Sequence, residues 1–213
     1  MSAPDVALRT AWQRLAGSHH EALLEGLLER LREPHRRYHT ATHVMWVLRH
    51  VEHIVAAGGV ELDGPEAVDL DAVRLAALYH DAVYDATRSD NEAVSADLAA
   101  GVAAELGWAD DRRAAVHRLV MATASHQPQR ADEMVLVDAD LAILGAEPKD
   151  YSAYVTGVRT EYALVGDEQW RTGRAEVLRT FLAMPVLFST EVMRAERGAR
   201  ARANMAAELA TLR

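Results

Sequence analysis

Four residues stand where a helical core asks for apolar side chains: His43, His80, Asp81 and Asp140. His43 lies four positions before Val47 and eight before Val51, on the stripe that should face inward. His80 follows Val73 by seven positions, and Ala77 and Ala76 by three and four. Asp81 is its neighbour, about 100° further round the same expected helix, so both side chains can reach one point. Asp140 is flanked by Leu136, Val137, Ile143 and Leu144 at −4, −3, +3 and +4. Asp138 also has apolar neighbours at helical spacing, so periodicity does not choose between the two aspartates.

Burying an unpartnered carboxylate costs about several kcal/mol even after relaxation. One divalent cation at the meeting point of three helices resolves all four residues together. It neutralises the acids and accepts the imidazole lone pairs, and the core of a helical bundle is a known place for such a site. Each residue alone says little, because a single inward histidine is more often a hydrogen-bonded core group. Order and spacing say more: a histidine, a His-Asp pair 37 positions later, then an aspartate in a later helix. The chain has no cysteine, which excludes disulfides, thiolate sites and cysteine nucleophiles, so nitrogen and oxygen must hold any metal.

Other polar residues have more than one reading. His126 shares a helical face with Leu119, Ala122 and Thr123 and is a ligand for a second metal ion, a phosphate contact or a satisfied core group. His39 stands four residues before His43, as a further ligand if the helix extends that far or as a support for the ligands. Arg36 and Arg37 precede this segment and are candidate substrate clamps, since a planar guanidinium binds two phosphate oxygens at once. The alternative is an ordinary charged loop. Arg159 is a weaker candidate of the same kind, with Glu161 and Asp150 as structural partners. His19, His20, His50, His53 and His117 carry no usable pattern.

The elements that must position these residues are helices almost throughout. Glycine and proline are few, alanine- and leucine-rich stretches are long, and no alternating strand pattern occurs. Helices are expected near 5–16 and 19–32, the second opened by a Ser18–Glu21 capping box. Another runs from about Thr40 to Gly58, with Val44, Val47, Leu48, Val51, Ile54 and Val55 on its inner stripe. A surface loop, with room for one helical turn, is expected from Gly58 to Asp71. Helices then follow from Asp71 to Tyr84, from Ser89 to Gly107, and near 110–126, 134–145, 148–165, 168–183 and 190–212. No repeat or linker divides the 213 residues. One all-α bundle domain over 1–213 is expected, with the motif-bearing core at about 35–165 and the helices of 168–212 packed on it.

Half the residues are apolar and 26% are charged, an ordinary globular balance. The net charge of −9 argues against a nucleic-acid polymer or an anionic membrane as partner. No apolar run approaches the roughly 20 residues that span a bilayer, and no secretory pattern opens the chain, so a cytoplasmic location is expected.

Several stretches carry a resemblance. They are Tyr38-His39 through His43, Leu78 to Asp85, Asn91-Glu92, Thr123 with His126, Asp138-Ala139-Asp140-Leu141, and Arg159-Thr160-Glu161-Tyr162. Together they resemble the H…HD…D signature of the HD superfamily of metal-dependent phosphohydrolases, and more closely a bacterial group of uncharacterised, predicted members. The similarity runs from about residue 30 to the C-terminus. It implies an HD-type helical bundle whose metal is held by His43, His80, Asp81 and Asp140. Asp140 is preferred to Asp138 because HD domains show an Ala-Asp-Leu order around the last ligand.

The resemblance also implies hydrolysis of a phosphate mono- or diester, with a nucleotide as the expected substrate and Asp81 acting on the attacking water. Arg36, Arg37, His39, Arg159 or His126 would hold the phosphate. Some HD nucleotidases carry a catalytic glutamate three residues after the HD aspartate, where this chain has Tyr84. Glu92 is then the candidate acid–base group, unless Ser89-Asp90-Asn91-Glu92 is a capping box. Two histidines and two carboxylates suit manganese, iron, cobalt, nickel or zinc better than magnesium, in one site with a second as the open alternative.

The departure at Tyr84 leaves a second reading, a module that binds metal and nucleotide without turnover. A third is a helical interaction protein using Arg194, Arg197, Arg200 and Arg202 of the last helix. A homodimer is an expectation from fold class and size alone.

Overall fold

The computed structural model describes residues 2–61 and 67–212. Among them are ten α-helices, one 3₁₀ turn and no strand, so the fold is all-α. The helices are α1 (Ala3–Ala16), α2 (Glu21–Leu31), α3 (Ala41–Ala56), α4 (Leu70–Tyr79), α5 (Asn91–Glu105), α6 (Asp110–Ser125) and α7 (Ala131–Leu141). The 3₁₀ turn Ala142–Gly145 follows, then α8 (Pro148–Glu161), α9 (Asp167–Ala183) and α10 (Glu191–Thr211). No described helix is long and apolar enough to cross a membrane.

The centre of the core is α4. Val73, Leu75, Ala76, Ala77, Leu78 and Tyr79 are all buried, and only Leu70, Asp71 and Arg74 near its start are partly exposed. A stretch that is apolar all round must be enclosed, and α1, α3, α5, α6 and α7 enclose it. Its N-terminus is capped by Asp69, whose Oδ1 accepts from the Ala72 N–H at 3.1 Å. Its C-terminus therefore delivers His80 to the middle of the protein.

Helix ends differ from the sequence expectation at informative places. α4 stops at Tyr79 instead of Tyr84, with His80 as its C-cap and Asp81 in the following turn. The Ala82 N–H closes a tight turn on the Tyr79 carbonyl at 2.9 Å. The carbonyls of Asp81 and Ala82 accept from the Arg36 guanidinium at 2.8 and 3.1 Å. The terminating partner thus comes from 45 residues upstream, out of reach of local propensity.

Neither expected capping box forms. His20 caps α2 in the left-handed region, with φ 60° and no side-chain hydrogen bond. At α5 the Asp90 carboxylate is taken by Arg88, while Asn91 clasps the Asp85 backbone, accepting from its N–H at 3.0 Å and donating to its carbonyl at 2.8 Å. α6 ends at Ser125, which leaves His126 as a left-handed C-cap with φ 51° instead of on a helical face. α7 tightens into the 3₁₀ turn after Leu141, and α8 ends at Glu161. Of the loop expected between Gly58 and Asp71, residues 62–66 lie outside the described residues.

α10 is tied to α7 and the 3₁₀ turn by specific polar contacts. Asp138 is fully buried; it accepts from the Ser189 N–H at 2.9 Å and from the Thr190 N–H and Oγ1–H, both at 2.7 Å. Asn204 donates to the carbonyls of Leu144 and Ala146, both at 2.9 Å. Gly145 lets the two elements meet, since a Cβ there would stand 2.8 Å from the Arg197 carbonyl oxygen.

Asp138 is therefore an anchor for α10. Asp138→Ala is expected to lower the unfolding free energy by about 2–3 kcal/mol, because two N–H groups lose their acceptor. Urea unfolding measures it, and a variant as stable as the parent would show the anchor to be dispensable.

Candidate metal centre

Three helix ends and one helix beginning converge on a single point. His43 sits in the first turn of α3, His80 caps α4, and Asp81 follows it. Asp140 lies in the last turn of α7, and His126 caps α6. The Nε2 atoms of His43 and His80 are 3.1 Å apart. Asp81 Oδ2 lies 3.3 Å from the first and 3.1 Å from the second. Asp140 Oδ1 lies 3.2 and 3.6 Å from the same two nitrogens. Both imidazoles are buried, and the Asp81 and Asp140 side chains are 18% and 15% exposed.

These separations fit a metal. Donors about 2.1 Å from one ion stand about 3.0 Å apart in octahedral and about 3.4 Å apart in tetrahedral geometry. The His43, His80 and Asp140 donors alone form a group close enough to hold an ion. The tautomer of His80 fits too. Its Nδ1 lies 2.9 Å from the Ala77 carbonyl, an obligate acceptor, so Nδ1 carries the hydrogen. In the neutral ring Nε2 is then a bare lone pair facing the cluster, the arrangement that orients metal-ligating histidines.

Electrostatics agree. Burial pushes both imidazoles down, yet the adjacent carboxylates raise His43 above its ordinary value and His80 well above it. Burial raises the two acids; the charge and hydrogen bonds of the histidines instead hold Asp81 and Asp140 well below theirs. The cluster demands positive charge at its centre, from protons or from a cation.

Asp140 and Asp138 face opposite ways. Two positions on a helix differ by about 200°, so Asp140 reaches the histidines while Asp138 reaches the start of α10. His126 Nε2 stands 3.4 Å from Asp140 Oδ2, on the far oxygen of that carboxylate.

Around the centre, two charged groups hold the backbone. Arg36 is buried, and its guanidinium donates to Glu33, to the His39 carbonyl and to the carbonyls of Asp81 and Ala82 at 2.8–3.1 Å. Glu161, with its side chain out of solvent, accepts from three consecutive backbone N–H groups: Arg37 at 2.6 Å, Tyr38 at 2.7 Å and His39 at 3.0 Å. Its other oxygen takes His39 Nδ1–H at 2.7 Å, and the His39 ring stacks on Tyr84 at 4.0 Å. His39 precedes α3, so it is not a second ligand on that helix.

A cavity of about 660 Å³ opens onto His80, Asp81, His126 and Asp140, and His39, Tyr84 and Glu92 also line it. With no capping box to occupy it, Glu92 is free to face this space. The arginines expected at the substrate are elsewhere. Arg36 is committed to backbone, and Arg159 donates to the carbonyls of Tyr162 and Val165 and to Asp167. Arg37 lines a separate cavity of about 450 Å³ beyond His43, with Trp46, Arg197 and Arg200. Among the remaining histidines, His53 pairs with Glu196 and His117 with Asp97 at the surface. The sequence offers Glu161 only as a partner of Arg159; Arg159 pairs instead with Asp167, and Glu161 organises the His39 segment.

No protein-family model matches the chain, and no curated protein or solved structure matches it. What the site can do therefore follows from its own geometry.

Glu161 offers a direct test of how the segment before α3 is held. Burial would raise its carboxyl, but the hydrogen bond and charge of His39, with the backbone N–H groups, bring it down to about 2. A carboxyl depressed from an ordinary 4.5 stabilises the fold above that pH and loses its contribution as pH falls toward 2. Glu161→Gln is expected to cost about 1.5–3 kcal/mol at pH 7. The gap from the parent should narrow below pH 4.5 in urea unfolding, and an equal gap at pH 3.5 and 7 would mean that charge is not the source.

Proposed function

We propose that the chain is an HD-type metal-dependent phosphohydrolase acting on a small phosphate ester, with a nucleotide as the expected substrate. The observation that carries this reading is the meeting of His43, His80, Asp81 and Asp140 within 3.1–3.6 Å contacts beside an open cavity. These four are the ligands of the proposed ion, and the mixed nitrogen and oxygen set favours manganese, iron, cobalt, nickel or zinc over magnesium. A divalent ion there supplies Lewis acidity, bringing the pKa of a water toward about 7 and drawing charge from a phosphoryl oxygen.

The protein's own groups do the rest. Asp81 touches both ligand imidazoles and faces the cavity, so it orients the attacking water. Glu92 takes the proton as the water oxygen bonds to phosphorus. The phosphorus–oxygen ester bond breaks with its electron pair on the leaving oxygen. In its imidazolium form, with Nδ1–H held by Glu161, His39 carries an Nε2 hydrogen that passes to that oxygen. His126, beside the outer oxygen of Asp140, is placed to contact the phosphoryl group or to help hold a second ion.

A second reading, binding without turnover, draws on Tyr84. It occupies the position three after Asp81 and stacks on His39 instead of offering a carboxylate.

Elemental analysis of protein purified without chelator, beside a His80→Ala/Asp81→Ala variant, tests the centre. Near-stoichiometric transition metal is expected in the parent and none in the variant. Phosphate release from a nucleotide panel should vanish with the metal. In Glu92→Gln, release should fall by about 10²–10⁴-fold with metal retained. Metal with no phosphate released from any ester would favour the binding module. No metal in either protein, even after incubation with manganese, nickel or iron, would overturn both readings.

A further inference from the structure

The metal-facing cavity needs a group that recognises the substrate's phosphoryl oxygens, and the arginines the sequence points to are not on it. Among the described residues the one arginine lining that cavity is Arg174. It is 8% exposed and comes from the middle of α9. Nε and one Nη bind the two oxygens of Glu208 at 2.7 and 3.0 Å, a fork that fixes the guanidinium plane. Glu208 is itself buried and accepts from Tyr151 Oη–H at 2.5 Å.

The remaining Nη of Arg174 donates to Tyr154 Oη at 3.1 Å. A phenol is both donor and acceptor, and here the acceptor side is occupied. Tyr154 Oη donates to no group among the described residues, although Asp81 and Asp140 line the same cavity. The ring is close to the ligands. It packs edge-on to Tyr38 at 4.7 Å between centroids, and Tyr38 lies 4.8 Å from the His43 ring. Tyr154 thus presents a hydroxyl hydrogen without a partner, backed by a cation, on the wall of the cavity that holds the metal centre.

A buried Arg–Glu pair adds little to stability over an apolar pair of the same volume. It does hold a donor in one orientation. We infer that Tyr154 is a phosphoryl-recognition residue, donating its hydroxyl hydrogen to a phosphoryl oxygen of a substrate at the metal centre, and that Arg174 is its positioning residue. This rests on the metal-dependent reading above and adds the group that selects a tetrahedral oxyanion. Arg174 acts through Tyr154: it occupies the oxygen lone pair so that the hydrogen points into the cavity, and its charge makes the hydroxyl a stronger donor. Glu208 keeps Arg174 from turning toward the ligand itself.

The experiment uses the full chain and two titrations by calorimetry, manganese first and inorganic phosphate into the manganese-loaded protein second. Tyr154→Phe keeps the ring and its contacts with Tyr38 and removes only the hydroxyl. Its manganese affinity should match the parent and its melting temperature should fall only slightly, as Arg174 loses one acceptor, while phosphate binds about 10–100-fold more weakly. Arg174→Lys keeps the charge but loses the fork, and should weaken phosphate in the same direction with manganese binding retained. Equal phosphate affinity in Tyr154→Phe and parent would overturn the inference, as would a manganese-loaded parent that binds no phosphate. Failure of the parent to bind manganese in the first titration would instead strike the metal reading itself. A purely structural Tyr154 would lower the melting temperature and leave the phosphate isotherm unchanged.

Discussion

Two carboxylates and two imidazoles cannot share a nearly dry pocket unless something positive sits among them, and the rest of the structure is arranged around that constraint. Side chains in the middle of regular helices have little freedom to converge from three directions. Each contributing helix is therefore broken at the residue it brings to the centre: α4 ends at His80, α7 tightens just after Asp140, α6 ends at His126, and α3 begins just before His43. The breaks give the side chains their reach. They also leave backbone groups without helical partners close to the core, where each orphan is costly.

Arg36 and Glu161 answer that cost with opposite signs. One buried cation collects the carbonyls freed where α4 ends, and one buried anion collects the N–H groups freed where α3 begins. Both act on the segment from Arg36 to Thr40, so the His39–His43 strip is pinned from two sides before it enters the helix. The Arg174–Glu208 pair repeats the device one layer further out and fixes Tyr154 in place of backbone. Charged residues that look like ligand-binding candidates in the sequence thus divide into those that hold the site and those that face it.

How legible this was depended on whether the signal was local. His43, His80, Asp81 and Asp140 stood out because a polar residue on an apolar stripe is a local contradiction. Asp138 and Asp140 could not be separated by periodicity because both faces of α7 are covered, one by α3, α4 and α6 and the other by the approach to α10. α4 ends earlier than its sequence predicts for a related reason. Ala82 and Val83 read as helix, and the residue that stops the helix is Arg36, a tertiary partner. The adjacent Arg36 and Arg37 have the same chemistry and opposite fates, buried and exposed, which no local rule distinguishes. Glu161 and Arg174 act across 122 and 34 positions, on His39 and Glu208, and only the folded chain brings those pairs together.

The surroundings of the centre differ on its two open sides. Tyr38, Asp140, Ile143 and Tyr154 form a wall shared by the two cavities, so the ligands can be approached from either. The two faces are not equivalent. His80 and Asp81 open only to the larger cavity, and with them go His39, Glu92 and His126, the groups able to orient water or move a proton. On the smaller side, His50 is tied to the Trp46 carbonyl at 2.8 Å and burial holds it down at about 4, while Glu147 is paired with Arg200. That side offers the exposed Trp46, guanidinium groups and the exposed carboxylate of Asp150. Proton traffic needs both an acid–base group and the lone pairs that the ion leaves open. Asp81, Glu92 and His39 line the same cavity, so on the proposed reading the larger cavity is the one for chemistry.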